Sequence, residues 1–467
     1  MSDLSITLDR GAKSSLAEQL RLSIETAILD GRLGPGARLP SWRDLATQLG
    51  VARGTVRVAY ERLSDAQFIV ATGPAGTRVT EHLPTRPQAP KTAPRPVLPI
   101  MFSDYSTPPR IFQMGVPAQD AFPFKTWSRT LARAARQVAA SPVSYPDPRG
   151  EQALRRQIAG YLAVARSMAC GEDQIFITGG YNSALGLVTR VLHLEGKSGW
   201  MEEPGYPIAR AALRVAGAVP VAVPVDGEGL DVERGMAIAP DAAFALVTPG
   251  QQAPLGMTLS LPRRRALLQW AEQAGAFIIE DDYLSELQLN GRAAPALASI
   301  DHGGRVIHIG TFSKTISPTL RLGFVVAPAA IASRFAEAAA YLAPAPFAGI
   351  QHAVAEFLED GHYMRHLRKM KRLYAQRRDL LKRRLERGQP VEAMAGLALV
   401  LRLAPGTPDV EIAKRALAFG LAPGPLSPWY ADQGAAVSGL LLGITNLVPE
   451  WIEASWAALQ QVIREFS

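Results

Sequence analysis

Residues 81–99, EHLPTRPQAPKTAPRPVLP, hold six prolines and almost no periodic apolar residue. Proline lacks a backbone N–H and fixes its own φ, so a stretch this rich in it neither continues a helix nor joins a sheet interior; it runs extended and semi-rigid. The segment reads as a linker, dividing the 467-residue chain into a small part, 1–80, and a large part, 100–467. A chain of this length exceeds one ordinary core, so two domains are the natural division. With 48% hydrophobic and 20% charged residues, the composition suits packed globular units.

The net charge of +8 divides evenly: residues 1–100 hold 13 Lys/Arg against 9 Asp/Glu and the remainder 37 against 33, +4 in each part. The density is higher in the small part, which favours a nucleic-acid partner there, with an ordinary soluble surface as the open alternative. A single cysteine, Cys170, forms no internal disulfide and leaves no cysteine cluster for zinc or iron–sulfur, so a reducing compartment, the cytosol, is expected. Met1–Arg10 is mixed and polar, and no run of about 18 apolar residues offers a membrane span.

In the small part Leu16, Leu20, Ile24 and Ile28 recur at helical spacing, and DGRLGPG ends that helix. Two shorter helices are predicted over Trp42–Leu49 and Arg53–Leu63, then a hairpin in FIVATGPAGTRVT, two β-prone runs around a Gly/Pro turn. RLPSWRDLATQLGVARGTVRVAYERL has what a helix-turn-helix needs: Ser41 as N-cap, Leu45 and Leu49 on one face, Gly50 in the turn. Val56, Ala59, Tyr60 and Leu63 of the second helix then face the core. Arg53, Thr55 and Arg57 are left at its exposed N-terminal end, from which a recognition helix reaches base edges in the major groove. Arg38 and Arg43 suit phosphates, and the hairpin tip at Gly76 and Thr77 suits the minor groove. The bland alternative is that these arginines only solvate a small helical domain.

Through GRLGPGARLPSWRDLATQLGVARGTV, AYERL and GPAGTRV, residues 12–80 resemble the GntR family of winged-helix regulators. The resemblance implies an α+β winged helix-turn-helix that binds double-stranded DNA, with Arg38, Ser41, Arg43, Arg53, Thr55, Arg57, Gly76 and Thr77 at the interface.

Beyond the linker the strand-like runs QIFITG, FALVTP, AFIIEDD and RVIHIG alternate with helical stretches such as Ser183–Leu194 and Arg263–Ala274, predicting an α/β domain with a largely parallel sheet. After Ile331 the pattern turns helix-rich, including a basic helix over Met364–Arg387, and is read as a smaller C-terminal subdomain. HIGTFSKTISPTLRLGF places Ser313 and Lys314 just after a strand, where a lysine can hold a carbonyl cofactor as a Schiff base. AFIIEDDYLSEL ends another strand in acids; Asp281 could pair with a pyridinium nitrogen and Tyr283 reach a ring hydroxyl, or Asp281 and Asp282 could simply cap the next helix. ITGGYNSALGLVTRVL is strand, glycine turn, helix; it presents the N–H groups of Gly180, Tyr181 and Asn182 to an anion, or is only a tight connection.

With EEPGYPIAR, VTPGQQAPLG and SYPDPRGEQALRRQI, these pieces resemble the fold-type I aminotransferases over residues 100–467, and the whole chain resembles the MocR-type regulators, a GntR subfamily with an aminotransferase-like effector domain. The resemblance implies pyridoxal 5'-phosphate on Lys314, Asp281 opposite its ring nitrogen and Tyr283 near its hydroxyl. It puts Gly180, Tyr181, Ser313 and Arg321 around the phosphate and Tyr206 against the ring. A domain-swapped homodimer is implied, with Tyr145 reaching the neighbouring subunit's site. The function implied is a cytoplasmic transcription regulator whose large domain senses a small molecule.

Three positions depart from the family pattern. TPGQQ places Gln251 where the resemblance implies a histidine, GLALVLRL has Ala398 where His is common, and GLLLGITNL has Leu441 where an arginine would take an α-carboxylate. Leucine forms no ion pair, so ordinary transamination of α-amino acids is not expected, and the effector is read as pyridoxal phosphate itself or an amine lacking that contact. Arg402 or Arg210 could take over from another direction. Two further readings stand open: an active aminotransferase with an appended DNA-binding domain, and a large domain kept only as a dimerisation scaffold.

Overall fold

The computed structural model describes residues 6–73, 76–83, 109–140, 144–284, 287–289, 293–385, 391–395 and 397–466, the side chains of 391–395 excepted. Of the expected linker, 84–99 lie outside the described residues. The chain forms two compact units, Met1–Tyr105 and Ser106–Ser467.

The small unit contains α1 (Leu16–Leu29), α2 (Trp42–Leu49), α3 (Arg53–Asp65), β1 (Ile69–Ala71) and β2 (Thr77–Val79). Ser15 and Ser41 accept backbone N–H bonds at the starts of α1 and α2, and Gly50, at φ 62°, ends α2 in a left-handed turn that favours glycine. One face of each helix closes a single core: Leu20, Ile24 and Ile28 from α1, Leu45 from α2, and Val56, Ala59, Tyr60 and Leu63 from α3. The antiparallel pair β1–β2, with Ile69 opposite Val79, contributes both of those side chains to it.

The large unit opens with α4 (Phe124–Ala140) and α5 (Gln152–Arg166). Strands and helices then alternate: β3 (Ile175–Thr178), α6 (Tyr181–Val191), β4 (Ser198–Glu203), α7 (Pro207–Val215), β5 (Val219–Asp226), β6 (Gly229–Leu230), α8 (Val232–Ile238), β7 (Phe244–Val247), α9 (Leu261–Ala274), β8 (Phe277–Asp282), β9 (Val306–Thr311) and β10 (Gly323–Val326). These strands form one sheet in the order β3-β10-β9-β8-β7-β4-β5-β6. Its centre is parallel, while β10 runs against both neighbours and β6 against β5. Both faces are covered, as a parallel sheet requires: Phe244, Ile279 and Ile309 pack towards α6, α7 and α10 (Ala332–Tyr341), whereas Trp200, Ala245 and Ile278 pack towards α8 and α9.

The C-terminal region holds α11 (Ala348–Glu359), α12 (His362–Leu385), β11 (Val391–Ala395), β12 (Ala398–Arg402), α13 (Asp409–Ala416), β13 (Gly424–Pro425), β14 (Gly439–Gly443) and α14 (Ile452–Arg464). Its four strands form a second, antiparallel sheet in the order β11-β12-β14-β13.

Boundaries shift for local reasons. The helix expected from Ser183 starts at Tyr181, directly after Gly180, and the one expected from Arg263 starts at Leu261, where Ser260 caps it and Pro262 fits the first turn. The basic helix begins two residues early, at His362. Four strands without a distinctive pattern, β4, β5, β6 and β10, complete the sheet; β5, VPVAVPVD, carries prolines that weaken its sequence signal.

Candidate cofactor site and DNA-reading head

Sheet register decides which residues meet. Gly323 of β10 pairs with Thr178 of β3 on one side and with Thr311 of β9 on the other. Because β10 is reversed, its start lies beside the ends of β3 and β9, so three turns converge: 179–181, 312–314 and 321–322. Asp281 stands opposite Ile309 in the parallel pair β8–β9, near the same carboxyl edge. In α/β sheets that edge is where ligands bind.

In this corner Gly180 adopts φ 88°, ψ −176°, and a Cβ there would lie 3.7 Å from the Arg321 carbonyl carbon. Arg321 itself is left-handed, at φ 48°. The turn feeds straight into α6, whose first N–H groups, those of Tyr181 and Asn182 included, have no partner within the helix and lie at the positive end of its dipole, an arrangement that favours an anion. Asn182 is exposed and Tyr181 half-buried. Gly180→Ala is expected to cost about 1–3 kcal/mol of stability, because that φ/ψ region is essentially reserved for glycine. Urea unfolding checks this against Asn182→Ala, whose exposed side chain should go almost unnoticed.

The partly buried Lys314 donates from Nζ to the Gly115 carbonyl at 3.1 Å, and a Cβ on Gly115 would fall 2.9 Å from that nitrogen. Burial pushes its ammonium down, opposed by the charge of Asp281. Ser313 is held by its own N–H, which donates to Thr311 Oγ1 at 3.1 Å. Burial pushes Asp281 up to about 7, with Tyr181 and Lys314 acting against it and the carboxyls of Asp282 and Glu202 acting with it. Its Oδ1 is buried without a hydrogen-bond partner. Asp282 is bound by Arg166 at 2.7 Å. Tyr206 starts α7 and packs on Tyr181 (ring centroids 6.0 Å apart) and Trp429 (5.6 Å). Tyr283 is half-buried, its hydroxyl pushed up by burial and then by Asp281. Gln251 is buried with Oε1 unpartnered. Tyr145 stands fully exposed.

Several residues of this region escaped the sequence reading. Glu202 accepts from Thr248 N at 3.1 Å and Thr248 Oγ1 at 2.5 Å, and burial pushes its carboxyl up to about 7. On the opposite face of β8, His308 Nδ1 lies 3.0 Å from Glu280 and Nε2 3.7 Å from Asp282, which Arg166 holds in turn. The alternation of acids in IIEDD, facing a histidine at the matching position of RVIHIG, is the signal that points to this network. Arg210, considered above as a substitute carboxylate partner, is committed elsewhere: its guanidinium donates to the carbonyls of Pro428, Trp429 and Tyr430 at 2.7, 3.0 and 3.3 Å. Leu441 and Ala398 are fully buried in an apolar cluster with Val400, Leu426 and Trp429.

In the small unit Arg53 and Arg57 are exposed and Thr55 half-buried on the first turns of α3, opposite its core face. Arg57 lies 3.5 Å from Glu61, an exposed i,i+4 pair of little energetic weight. Arg38 is exposed with its guanidinium beside Gly76, where a Cβ would be 3.2 Å from Nε, so the loop before α2 and the hairpin tip share one surface. Thr77 lies within β2, its carbonyl accepting from Leu39 N at 2.9 Å. Arg43 covers the Trp42 ring at 4.9 Å, and Ser41 Oγ is occupied in donating to Asp44 at 2.7 Å. Among the described residues no helix is long and apolar enough to cross a membrane, and no group of three or more His, Cys, Asp or Glu side chains is placed to hold a metal.

Comparison with known proteins agrees with both halves. Residues 16–79 match the bacterial regulatory proteins of the gntR family and residues 115–418 the aminotransferase class I and II family. The chain is 37% identical to the Rhizobium meliloti protein named probable rhizopine catabolism regulatory protein MocR, over 80% of this chain and 77% of that one. It is 34% identical to the HTH-type pyridoxine biosynthesis transcriptional regulator PdxR of Corynebacterium glutamicum, over 82% of this chain and 81% of its relative. Among solved structures, the α-aminoadipate aminotransferase LysN of Thermus thermophilus is similar at TM-score 0.68 and 28% identity, over 76% of this chain and 92% of the other. The chain therefore belongs to the MocR-type transcription regulators, in which a GntR winged helix is joined to an aminotransferase-like domain.

Proposed function

We propose that the large unit binds pyridoxal 5'-phosphate on Lys314, works as a homodimer, and reports a small-molecule effector to the DNA-binding head. The observation that carries the reading is the corner where Lys314, Asp281 and the Gly180 turn meet. Its chemistry suits this cofactor: the buried carboxyl of Asp281 can take a pyridinium N–H, and the first N–H groups of α6 can take a phosphate. Bound there, the cofactor supplies a carbonyl carbon that takes primary amines. Arg321 and Ser313 flank the phosphate end, Tyr206 lies against the ring, and Tyr283 and Gln251 offer polar groups to its edge. Tyr145, fully exposed, and the exposed Phe124, Tyr341, Leu342 and Phe347 support burial of apolar surface against a partner subunit.

In the head, Arg53, Thr55 and Arg57 read bases, while Arg38, Ser41, Arg43, Gly76 and Thr77 position the duplex. An effector changes DNA affinity only by binding one state of the protein better than the other, and by the same factor DNA changes effector affinity. Catalysis as the main task has Lys314, Asp281 and Tyr283 in its favour. Against it stand Leu441 within an apolar cluster and Arg210 tied to backbone carbonyls, which leave a substrate carboxylate without its usual anchor.

The test is fluorescence anisotropy of the full chain on duplex DNA from upstream of its own gene, with and without pyridoxal phosphate. Arg53→Ala is expected to cost about 1–3 kcal/mol and relax specificity, whereas Arg43→Ala weakens all sequences alike and lowers the salt slope by about 1. Equal effects of the two on specific and random DNA would remove the assignment of α3 as the reading helix. Sustained turnover of an amino donor and a keto acid would favour the enzyme instead.

A further inference from the structure

We infer that the effector site of this chain selects an apolar primary amine and rejects ligands bearing a carboxylate. The inference rests on the reading above that Lys314 holds a carbonyl cofactor, and it names the ligand that would meet it.

The second sheet supplies the wall. In the antiparallel pair β12–β14, Val400 stands opposite Leu441. Side chains alternate across a strand, so Leu399, Leu401, Leu440 and Leu442 enter the main core while Ala398, Val400 and Leu441 point the other way, into a cluster with Ala253, Leu426 and Trp429. Those three strand residues have at most 1% of their surface exposed. A ligand therefore meets the half-buried layer over them: Met114, Tyr206, Tyr283 and Tyr430. This layer adjoins the reactive lysine, since Met114 precedes Gly115, whose carbonyl holds Lys314 Nζ at 3.1 Å. Tyr206 and Tyr283 both feel the charge of Asp281. The amine end of a ligand would thus face Lys314, with its body on aromatic and aliphatic side chains.

The charges nearby are wrong for a carboxylate. Asp281 and Glu202 are buried carboxyls, both raised by burial, and Asp281 is raised further by the charge of Glu202. Arg210 spends its guanidinium on three carbonyls of 428–430. Arg402 continues the face of Ala398 and Val400, but it is exposed, and its charge reaches Tyr430 at the edge of the layer. A carboxylate drawn into this cluster would be desolvated among apolar and acidic groups, with Arg402 held at the solvent edge as its one candidate partner on this face.

The experiment uses the full chain loaded with pyridoxal phosphate, titrated with 2-phenylethylamine, phenylalanine and ethanolamine, and followed by calorimetry and by the cofactor's absorbance. Phenylethylamine and phenylalanine differ only in the carboxylate; ethanolamine keeps the amine but lacks the apolar body. Phenylethylamine is expected to bind about tenfold or more tighter than either. Leu441→Arg is expected to narrow or reverse the preference over phenylalanine, and if that variant fails to fold, the wild-type comparison decides alone. Phenylalanine binding as tightly as phenylethylamine would overturn the inference, and loss of that binding in Arg402→Ala would assign the carboxylate to Arg402. Ethanolamine binding as tightly as phenylethylamine would overturn the apolar body. Absence of a lysine-dependent cofactor band before any amine is added would instead overturn the cofactor reading, and the inference with it.

Discussion

Lys314→Ala is expected to abolish the visible absorbance band of protein incubated with pyridoxal phosphate and to weaken cofactor retention by about a hundredfold or more, equivalent to ~2.7 kcal/mol or more. The side chain is partly buried, its Nζ rests on the Gly115 carbonyl, and burial lowers the proton affinity of the amine, which raises the share present as the nucleophilic free base. An alanine leaves the phosphate cradle and Asp281 in place, so residual weak, non-covalent binding should survive dialysis poorly. Absorbance and equilibrium dialysis of the two proteins check this. A variant that keeps the band would show that another group carries the cofactor.

Arg166→Met is expected to destabilise the large unit by about 3–5 kcal/mol, because it takes from the buried Asp282 the guanidinium bound to it at 2.7 Å, whose charge helps offset its desolvation. Arg166 Nε donates to Asp282 at 2.7 Å, with 1% and 5% of the two side chains exposed. Arg166→Met combined with Asp282→Leu should lose much less, since both charges leave together. Thermal unfolding of the single and double variants checks this, and equal losses would refute it. The same network sets a pH window. Burial works to raise Glu280, but His308, two backbone N–H groups from 297 and 298, and Arg166 outweigh it and hold the carboxyl down at about 2. That contribution is fully present above the ordinary 4.5 and is lost as pH falls towards 2. His308 is raised above 6.5 by Glu280 despite its burial, so its share is complete below 6.5 and fades as pH climbs through its folded value. The network therefore stabilises most between about 4.5 and 6.5.

The small unit was legible almost residue by residue. Its helices are amphipathic and short, their caps are local, and Ser41, Gly50 and the face of Val56, Ala59, Tyr60 and Leu63 all lie where the pattern placed them. In the large unit the pieces of the corner were legible because each is a local strand–turn or turn–helix signature: Gly180 before α6, Asp281 at the end of β8, Lys314 after β9. What pattern cannot supply is register. The pairing of Glu280 with His308 follows from β8 lying parallel to β9 at one particular offset, and the contacts of Arg166 and Gly115 arise from segments far away in the chain. The fate of Arg210 was likewise hidden, since it depends on where the loop 428–430 folds back.

The reversed strand β10 has a consequence for assembly. It joins Thr178 to Thr311 through Gly323: the turns 312–314 and 321–322 are neighbours in the chain, but the turn at 179–181 lies more than a hundred positions away and meets them only once β10 has paired with β3. Contacts so distant in sequence carry a high loop-closure cost and form late. The cofactor proposed for this corner would thus bind a chain in which β3 and β10 have paired better than one in which they have not. By mass action its presence then draws the population towards completed molecules. If the proposed cofactor is bound, its supply in the cell would in this way set how much of the regulator is mature.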